Sequence, residues 1–195
     1  MAVPPPLPYT VDMIDKLALR AQLRAERDAF AAQASEAILA PEHFVARLAP
    51  NLTVATYVGI GSEADPTQLA AAAAAAGCTL ALPFVVDRAT PIRFLAWQLG
   101  EPLADGPFGL LQPQTGSMEV APDVILTPLV GFDARLNRLG QGAAHYDRAF
   151  ARYPDAWRVG VAWSIQEVPA IPSDIWDVPL HAVITEKGMM WHAEA

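Results

Sequence analysis

Only one cysteine, Cys78, stands among the 195 residues, which excludes an internal disulfide and any zinc or iron–sulfur cage built on cysteines. A reducing compartment, the cytoplasm, is the expectation. Charge is scarce as well: Asp, Glu, Lys and Arg make up 17% of the chain against 53% hydrophobic residues. That balance is too apolar for a disordered polymer, and the length suffices for one good core. Lysine and arginine number only 13 and the formal net charge is −8, so the overall field repels nucleic acid and anionic lipid surfaces. Neither is expected as a partner. A convincing membrane span is missing too. Leu69 to Val86 carries no charge, but Ala70 to Ala76 is all alanine, and Gly77 and Pro83 punctuate the run where a helix stops and a strand begins. Met1 to Thr10 has four prolines and no basic n-region. It reads as a flexible leader, residues 1–10, ahead of one domain, residues 11–195.

What is present alternates between helix and strand signals. Val11 to Ala34 is free of proline and glycine and rich in helix formers, and Ser35 to Ala49 reads as a second, shorter helix broken at Pro41. Leu52 to Val58 reads as a buried strand, followed by the loop Gly59 to Asp65. Pro66 opens and Gly77 closes an alanine-rich helix, after which Thr79 to Leu82 resumes as strand. Further strands are expected at Ile92 to Trp97, Asp123 to Thr127, Arg158 to Trp163 and His181 to Thr185, and a helix at Gln141 to Tyr153. This order predicts an α/β fold of three layers, α/β/α, with a largely parallel central sheet.

Eight of the 13 basic residues fall in two short segments. Lys16, Arg20, Arg24 and Arg27 share one face of the first helix, and Arg135, Arg138, Arg148 and Arg152 surround Gly140 and Gly142. One reading of the first group is a solvated face with Asp12 and Asp28 as partners of Lys16 and Arg24; the other is an anion site. Asp123 to Phe150 favours the second: strand, proline-marked turn, glycine loop, then a helix whose N-terminus attracts phosphate. Asp147, near the start of that helix, either offsets the helix dipole or holds Mg²⁺ by oxygen ligation. His43, His181 and His192 have no metal-ligand spacing and read as structural.

The same segment carries a family pattern. Pro128, Phe132, Asp133, Arg138, Leu139, Gly140, Gly142, Tyr146, Asp147 and Arg148 stand in register with PxxxFDxxGxRLGxGxGYYDR, and Lys16, Leu19 and Arg20 match an upstream KxxLR. Tyr57 to Glu63, the Leu82–Pro83 turn, Phe108 to Pro113, and Gln166, Ile171, Pro172, Asp177, Ile184, Thr185, Glu186 and Gly188 follow in the same order. The chain thus resembles the 5-formyltetrahydrofolate cyclo-ligase (methenyltetrahydrofolate synthetase) family along nearly its whole length. The resemblance implies the fold shared with sugar-phosphate isomerases and CoA transferases. It also implies ATP- and Mg²⁺-dependent closure of a reduced folate, 5-formyltetrahydrofolate, to the 5,10-methenyl form. Separately from the resemblance, a monomer in the cytoplasm is the expectation.

By the same resemblance, Lys16, Arg138 and Asp147 are catalytic. Lys16, Arg20, Arg138, Leu139, Gly140, Gln141, Gly142, Ala143, Ala144, His145 and Tyr146 would hold ATP, and Asp147 and Asp177 would hold Mg²⁺. Val58, Glu63 and the loop Gln141 to His145 would contact the folate; Glu63 is otherwise an ordinary exposed loop acid. Several residues depart from the pattern. Ala143 and Ala144 replace a lysine or glycine and then a glycine, His145 replaces a tyrosine, Gln112 a glutamate, and Leu136 and Asn137 stand where a glycine usually precedes RLG. A positive φ at Ala144 would cost about 1 kcal/mol. Two other readings compete: a non-catalytic folate- or nucleotide-binding relative, and an ATP-dependent enzyme for another N-formyl heterocycle.

Overall fold

The computed structural model describes residues 16–34, 36–172 and 177–191. The expected leader, the first residues of the opening helix, Asp12 and His192 lie outside them. Helix α1 is Lys16–Ala31. Of the expected second helix only α2, Glu42–Val45, is helical, and residues 36–40 run on without helix to Pro41. Proline disfavours the helical region for the residue before it and has no N–H to continue the ladder, so the segment cannot join into one helix.

Strand β1 (Thr53–Ala55) leads through a loop to α3 (Thr67–Ala75), and β2 is Thr79–Phe84. Gly77 takes φ +82°, Cys78 N–H donates to Ala73 O and Gly77 N–H to Ala74 O, both at 3.0 Å. This pair of bonds satisfies the last carbonyls of α3 and turns the chain directly into β2. There follow β3 (Arg93–Ala96), the two-residue pieces β4 (Ala104–Asp105) and β5 (Leu111–Gln112), β6 (Val124–Pro128), and the ribbon β7 (Gly131–Phe132) with β8 (Arg138–Leu139). Helix α4 (His145–Arg152), β9 (Trp157–Val161), β10 (Ala182–Thr185) and β11 (Gly188–Trp191) complete the order. The helix expected from Gln141 starts only at His145, because Gly142 (φ +100°) and Ala144 (φ +52°) lie in the left-handed half of backbone space.

The central sheet has seven strands in the order β11-β10-β9-β6-β1-β2-β3. The five inner strands are parallel, with registers such as Val54↔Leu80, Val54↔Val124 and Leu126↔Val159, and the two edges are antiparallel. Alternate residues sort to opposite faces, as the pleat requires. Val54, Leu80, Val124, Leu126, Val159 and Ile184 pack beneath α2 and α3 with Phe44, Leu69 and Ala73. Ala55, Ala81, Ile125 and Val183 face the other way, toward Ala149 and Phe150 of α4. The three-layer arrangement expected from the sequence is therefore present. Helix α1 forms its own small core, Leu19 and Leu23 against Val130, Leu139 and Ile171, which fixes its polar face beside the loop after β8.

Strand β1 lies between β2 and β6, so the chain leaves β1 on one side for β2 and later returns to its other side with β6. A crevice opens beyond the carboxyl ends of parallel strands at such a reversal.

Candidate active site

A cavity of about 750 Å³ occupies that crevice. Tyr57 and Val58 enter it from the end of β1, Pro83 and Val85 from the end of β2, and Pro128 from the end of β6. The chain from Arg138 to Asp147 contributes every one of its residues to the lining, and Lys16 and Arg20 reach in from α1. Glu63 and Asp177 complete the set, so all of the sequence-derived site residues line one cavity.

The loop owes its course to backbone geometry and to α1. Arg20 Nε donates to Gly140 O at 2.8 Å, and Arg24 Nη2 donates to Gln141 Oε1 at 2.6 Å. Arg24 thus turns to the loop, not to Asp28 as the solvated-face reading had it. Asp28 instead accepts from the Ser62 hydroxyl, which itself accepts from Arg27 Nε at 2.9 Å. Gln141 passes the connection on, its Nε2 donating to Glu63 Oε1 at 2.9 Å while Glu63 Oε2 accepts from Ile60 N–H at 3.0 Å. Helix α1, the glycine loop and the loop after β1 are thereby tied together across the cavity.

Each cavity aspartate meets a cation. Lys16 Nζ lies 3.0 Å from Asp177 Oδ2, and Arg138 Nη2 pairs with Asp147. Arg138 is nearly enclosed, with its guanidinium carbon 4.9 Å from the Phe150 ring centroid and its buried Nε lacking a partner. Burial pulls its pKa below the usual value, and Asp147 and Asp177 act against that. Two carboxylates and two cations therefore share a small volume, with donor groups left over for an anion. A Cβ at position 140 would lie 3.2 Å from Arg138 Nη1, so glycine there gives the guanidinium room against the loop.

Tyr146 is half-buried against the core beneath α4, and its burial, with Glu63 nearby, pushes its phenol above the ordinary range. It serves as a neutral wall. His145 Nδ1 lies 3.0 Å from Arg148 Nη2. A guanidinium can only donate, so Nδ1 accepts and the proton of the neutral ring sits on Nε2. Burial, then Arg148, lowers the His145 pKa, which keeps the ring neutral near pH 7.

The other carboxylate of the motif, Asp133, has a different fate from Asp147. Asp133 is buried and accepts from Arg135 N–H (2.9 Å), Asn137 N–H (3.1 Å), Asn137 Nδ2 (3.0 Å) and Ile171 N–H (2.9 Å). It holds the turn in which Leu136 takes φ +63° where the family pattern has glycine nearby. Gln112, also buried, accepts Val85 N–H at 3.0 Å through Oε1, a bond to a neutral amide oxygen that needs no charge. Sequence reasoning gave no role to Arg88, Ile60, Leu110 or Leu111 and none to the ring of Phe108, all of which line the cavity. Phe108 and Leu110 stood in a recognised motif; Arg88 is an isolated basic residue with no local signal.

Among the described residues no group of three or more His, Cys, Asp or Glu side chains could hold a metal ion. Asp147 and Asp177 nonetheless suit Mg²⁺, which is commonly held by one or two carboxylates together with substrate phosphates and water. Among the described residues no helix is long and apolar enough to cross a membrane.

Comparison with known proteins agrees with this geometry. The 5-formyltetrahydrofolate cyclo-ligase family matches residues 12–186. A 5-formyltetrahydrofolate cyclo-ligase of Escherichia coli K12 is 32% identical over 140 residues, 68% of this chain and 77% of that protein. One from Haemophilus influenzae is 35% identical over 99 residues, 48% of this chain and 53% of that protein, so the match spans about half that relative's length. The solution structure of Aquifex aeolicus 5,10-methenyltetrahydrofolate synthetase superposes with a TM-score of 0.71 at 27% identity, covering 92% of this chain and 94% of that one.

Proposed function

The chain belongs to the 5-formyltetrahydrofolate cyclo-ligase family, and we propose that it closes 5-formyltetrahydrofolate to 5,10-methenyltetrahydrofolate while ATP is split to ADP and phosphate. The observation that carries this reading is convergence. Lys16, Arg20, Arg138, Asp147 and Asp177, which suit a metal-bound polyphosphate, line the same cavity as Val58 and Glu63, which suit a pterin.

A formamide oxygen is a poor leaving group, and the N5 lone pair is delocalised into the carbonyl. Transfer of the γ-phosphoryl group to the formyl oxygen forms the new P–O bond as the bond to ADP breaks. The N10 amine then attacks the activated carbon, loses its proton, and phosphate departs as the five-membered ring closes. The protein's task is to align the reactants and to neutralise charge.

Arg20, Lys16 and Arg138 supply positive charge to the phosphates, and the glycine loop lets backbone N–H groups approach them. Asp147 and Asp177 would hold Mg²⁺, which supplies counter-charge to the transferring group. The Lys16–Asp177 and Arg138–Asp147 pairs keep these four side chains extended into the cavity before substrates arrive. Glu63, steadied by Ile60 and Gln141, keeps lone pairs for the 2-amino edge of the pterin. Neutral His145 offers its Nε2–H as a donor in place of a tyrosine hydroxyl. The enzyme acts as a monomer in the cytoplasm.

The test is growth of methenyltetrahydrofolate absorbance from protein, 5-formyltetrahydrofolate, Mg²⁺ and ATP, with ATP omitted as control. ATP-dependent product is expected. Folded protein that binds ATP or folate and forms no product would shift the reading to a non-catalytic relative. Turnover of a different N-formyl heterocycle in preference to the folate would shift it to the third.

A further inference from the structure

Two arginines, Arg20 and Arg88, line the cavity without an ion pair to any described residue. Arg20 sits against Gly140 and Gly142, where the phosphates are assigned. Arg88 belongs to neither the phosphate set nor the pterin set. It follows β2, its carbonyl accepts Arg148 Nη2 at 2.9 Å, and its guanidinium carbon lies 5.3 Å from the Phe108 ring centroid. The adjacent acid, Asp87, is turned into its own loop, accepting Ala89 N–H at 2.8 Å and Thr90 N–H at 2.6 Å. Arg88 therefore keeps its charge for something else.

Phe108 is 56% exposed and has φ +63°, a conformation that bulky L residues rarely adopt. Neither exposure nor that backbone state favours folding, so the surroundings must enforce both. The turn that carries Phe108 is closed by Gly106 N–H donating to Leu110 O at 2.7 Å and is fastened at its base by Gln112. Its bond to Val85 N–H fastens β5 to the end of β2, and its side chain packs so tightly on Gly106 that a Cβ there would lie 2.6 Å from Gln112 Cδ. The β4–β5 turn is thus clamped with an aromatic ring and a cation side by side on the cavity wall, next to Leu110 and Leu111.

We infer that Arg88 and Phe108 form a subsite for the aryl-glutamate tail of the substrate, the benzoyl ring lying against Phe108 and the glutamate carboxylates facing Arg88. The inference rests on the folate reading above. A reduced folate has a hydrogen-bonding pterin, a flat aryl amide and a dicarboxylate, and Glu63 accounts only for the first. A planar ring beside a guanidinium matches the other two in chemistry and in order. Each added γ-glutamate brings another carboxylate, so the subsite favours longer tails.

The experiment compares 5-formyltetrahydropteroate, which lacks glutamate, with its mono- and triglutamate forms on wild type, Arg88→Ala, Arg88→Lys and Phe108→Gly. For Arg88→Ala, KM is expected to rise about threefold to tenfold on the glutamates, most on the triglutamate and least on the pteroate. Arg88→Lys recovers part of the loss, and the wild-type preference for the triglutamate fades with added salt. Phe108→Gly keeps the left-handed backbone while removing the ring, and raises KM on all three. Equal losses on pteroate and triglutamate, or none, with an active wild type would overturn the subsite alone. A wild type inactive on all three would overturn the folate reading and the subsite with it.

Discussion

Residues 128–137 and 138–147 are adjacent halves of one motif, yet they do opposite work. In the first half Phe132 and Leu136 are buried and Asp133 spends its lone pairs on three backbone N–H groups and the amide of Asn137. In the second half every residue lines the cavity, and the carboxylate of Asp147 meets a cation that is itself short of partners. Identical residue types, spaced 14 apart, thus divide into scaffold and chemistry. Motif identity alone does not say which is which; burial and partner type do.

The sharpest way to break that distinction is Asp133→Ala. It leaves several buried donors unsatisfied at once, so stability should fall by about 3–5 kcal/mol, read from the denaturant midpoint. A loss below about 1 kcal/mol would put Asp133 in the wrong class. Asp147→Asn should cost less, about 1–2 kcal/mol, because the amide still accepts a bond while the enclosed Arg138 loses its counter-charge. Ala144→Gly should be slightly stabilising, by about 0.5 kcal/mol. Relief of the left-handed alanine, about 1 kcal/mol, is partly offset by the greater freedom of glycine in the unfolded chain.

The smallest effect concerns His145. Its folded pKa lies below the ordinary histidine value of 6.5, so between that folded value and 6.5 the unfolded chain binds more protons. Its contribution is full above pH 6.5 and is lost as pH falls toward the folded value. His145→Gln should flatten the acid side of the stability profile in that window. An unchanged profile would remove His145 from the account.

Much of this was legible from residues. Pro66, Gly77 and the alanines between them marked α3, and the runs of Val, Ile and Leu marked the inner strands that both faces bury. The left-handed backbone whose cost was weighed at Ala144 is the one that it adopts, at φ +52°. The second helix was misread because alanines and leucines around Pro41 have good helix propensity, whereas the proline's steric demands decided the outcome. The ribbons β4–β5 and β7–β8 are two residues per strand, too short for any period to appear. Strand β11 was missed because Gly188 opens it, at a turn from β10. Arg88, and the place of the Phe108 ring beside it, escaped because the two stand 20 residues apart and meet only in the folded chain, a contact no local pattern encodes.

The most direct measurement is methenyltetrahydrofolate formation by wild type and Asp147→Asn side by side, each shown to be folded. The account predicts ATP- and Mg²⁺-dependent product from the wild type and a fall of about 100-fold in the variant, as for other groups that offset charge in a transition state. Full turnover by a folded Asp147→Asn enzyme would contradict it, since the second half of the motif would then be scaffold like the first.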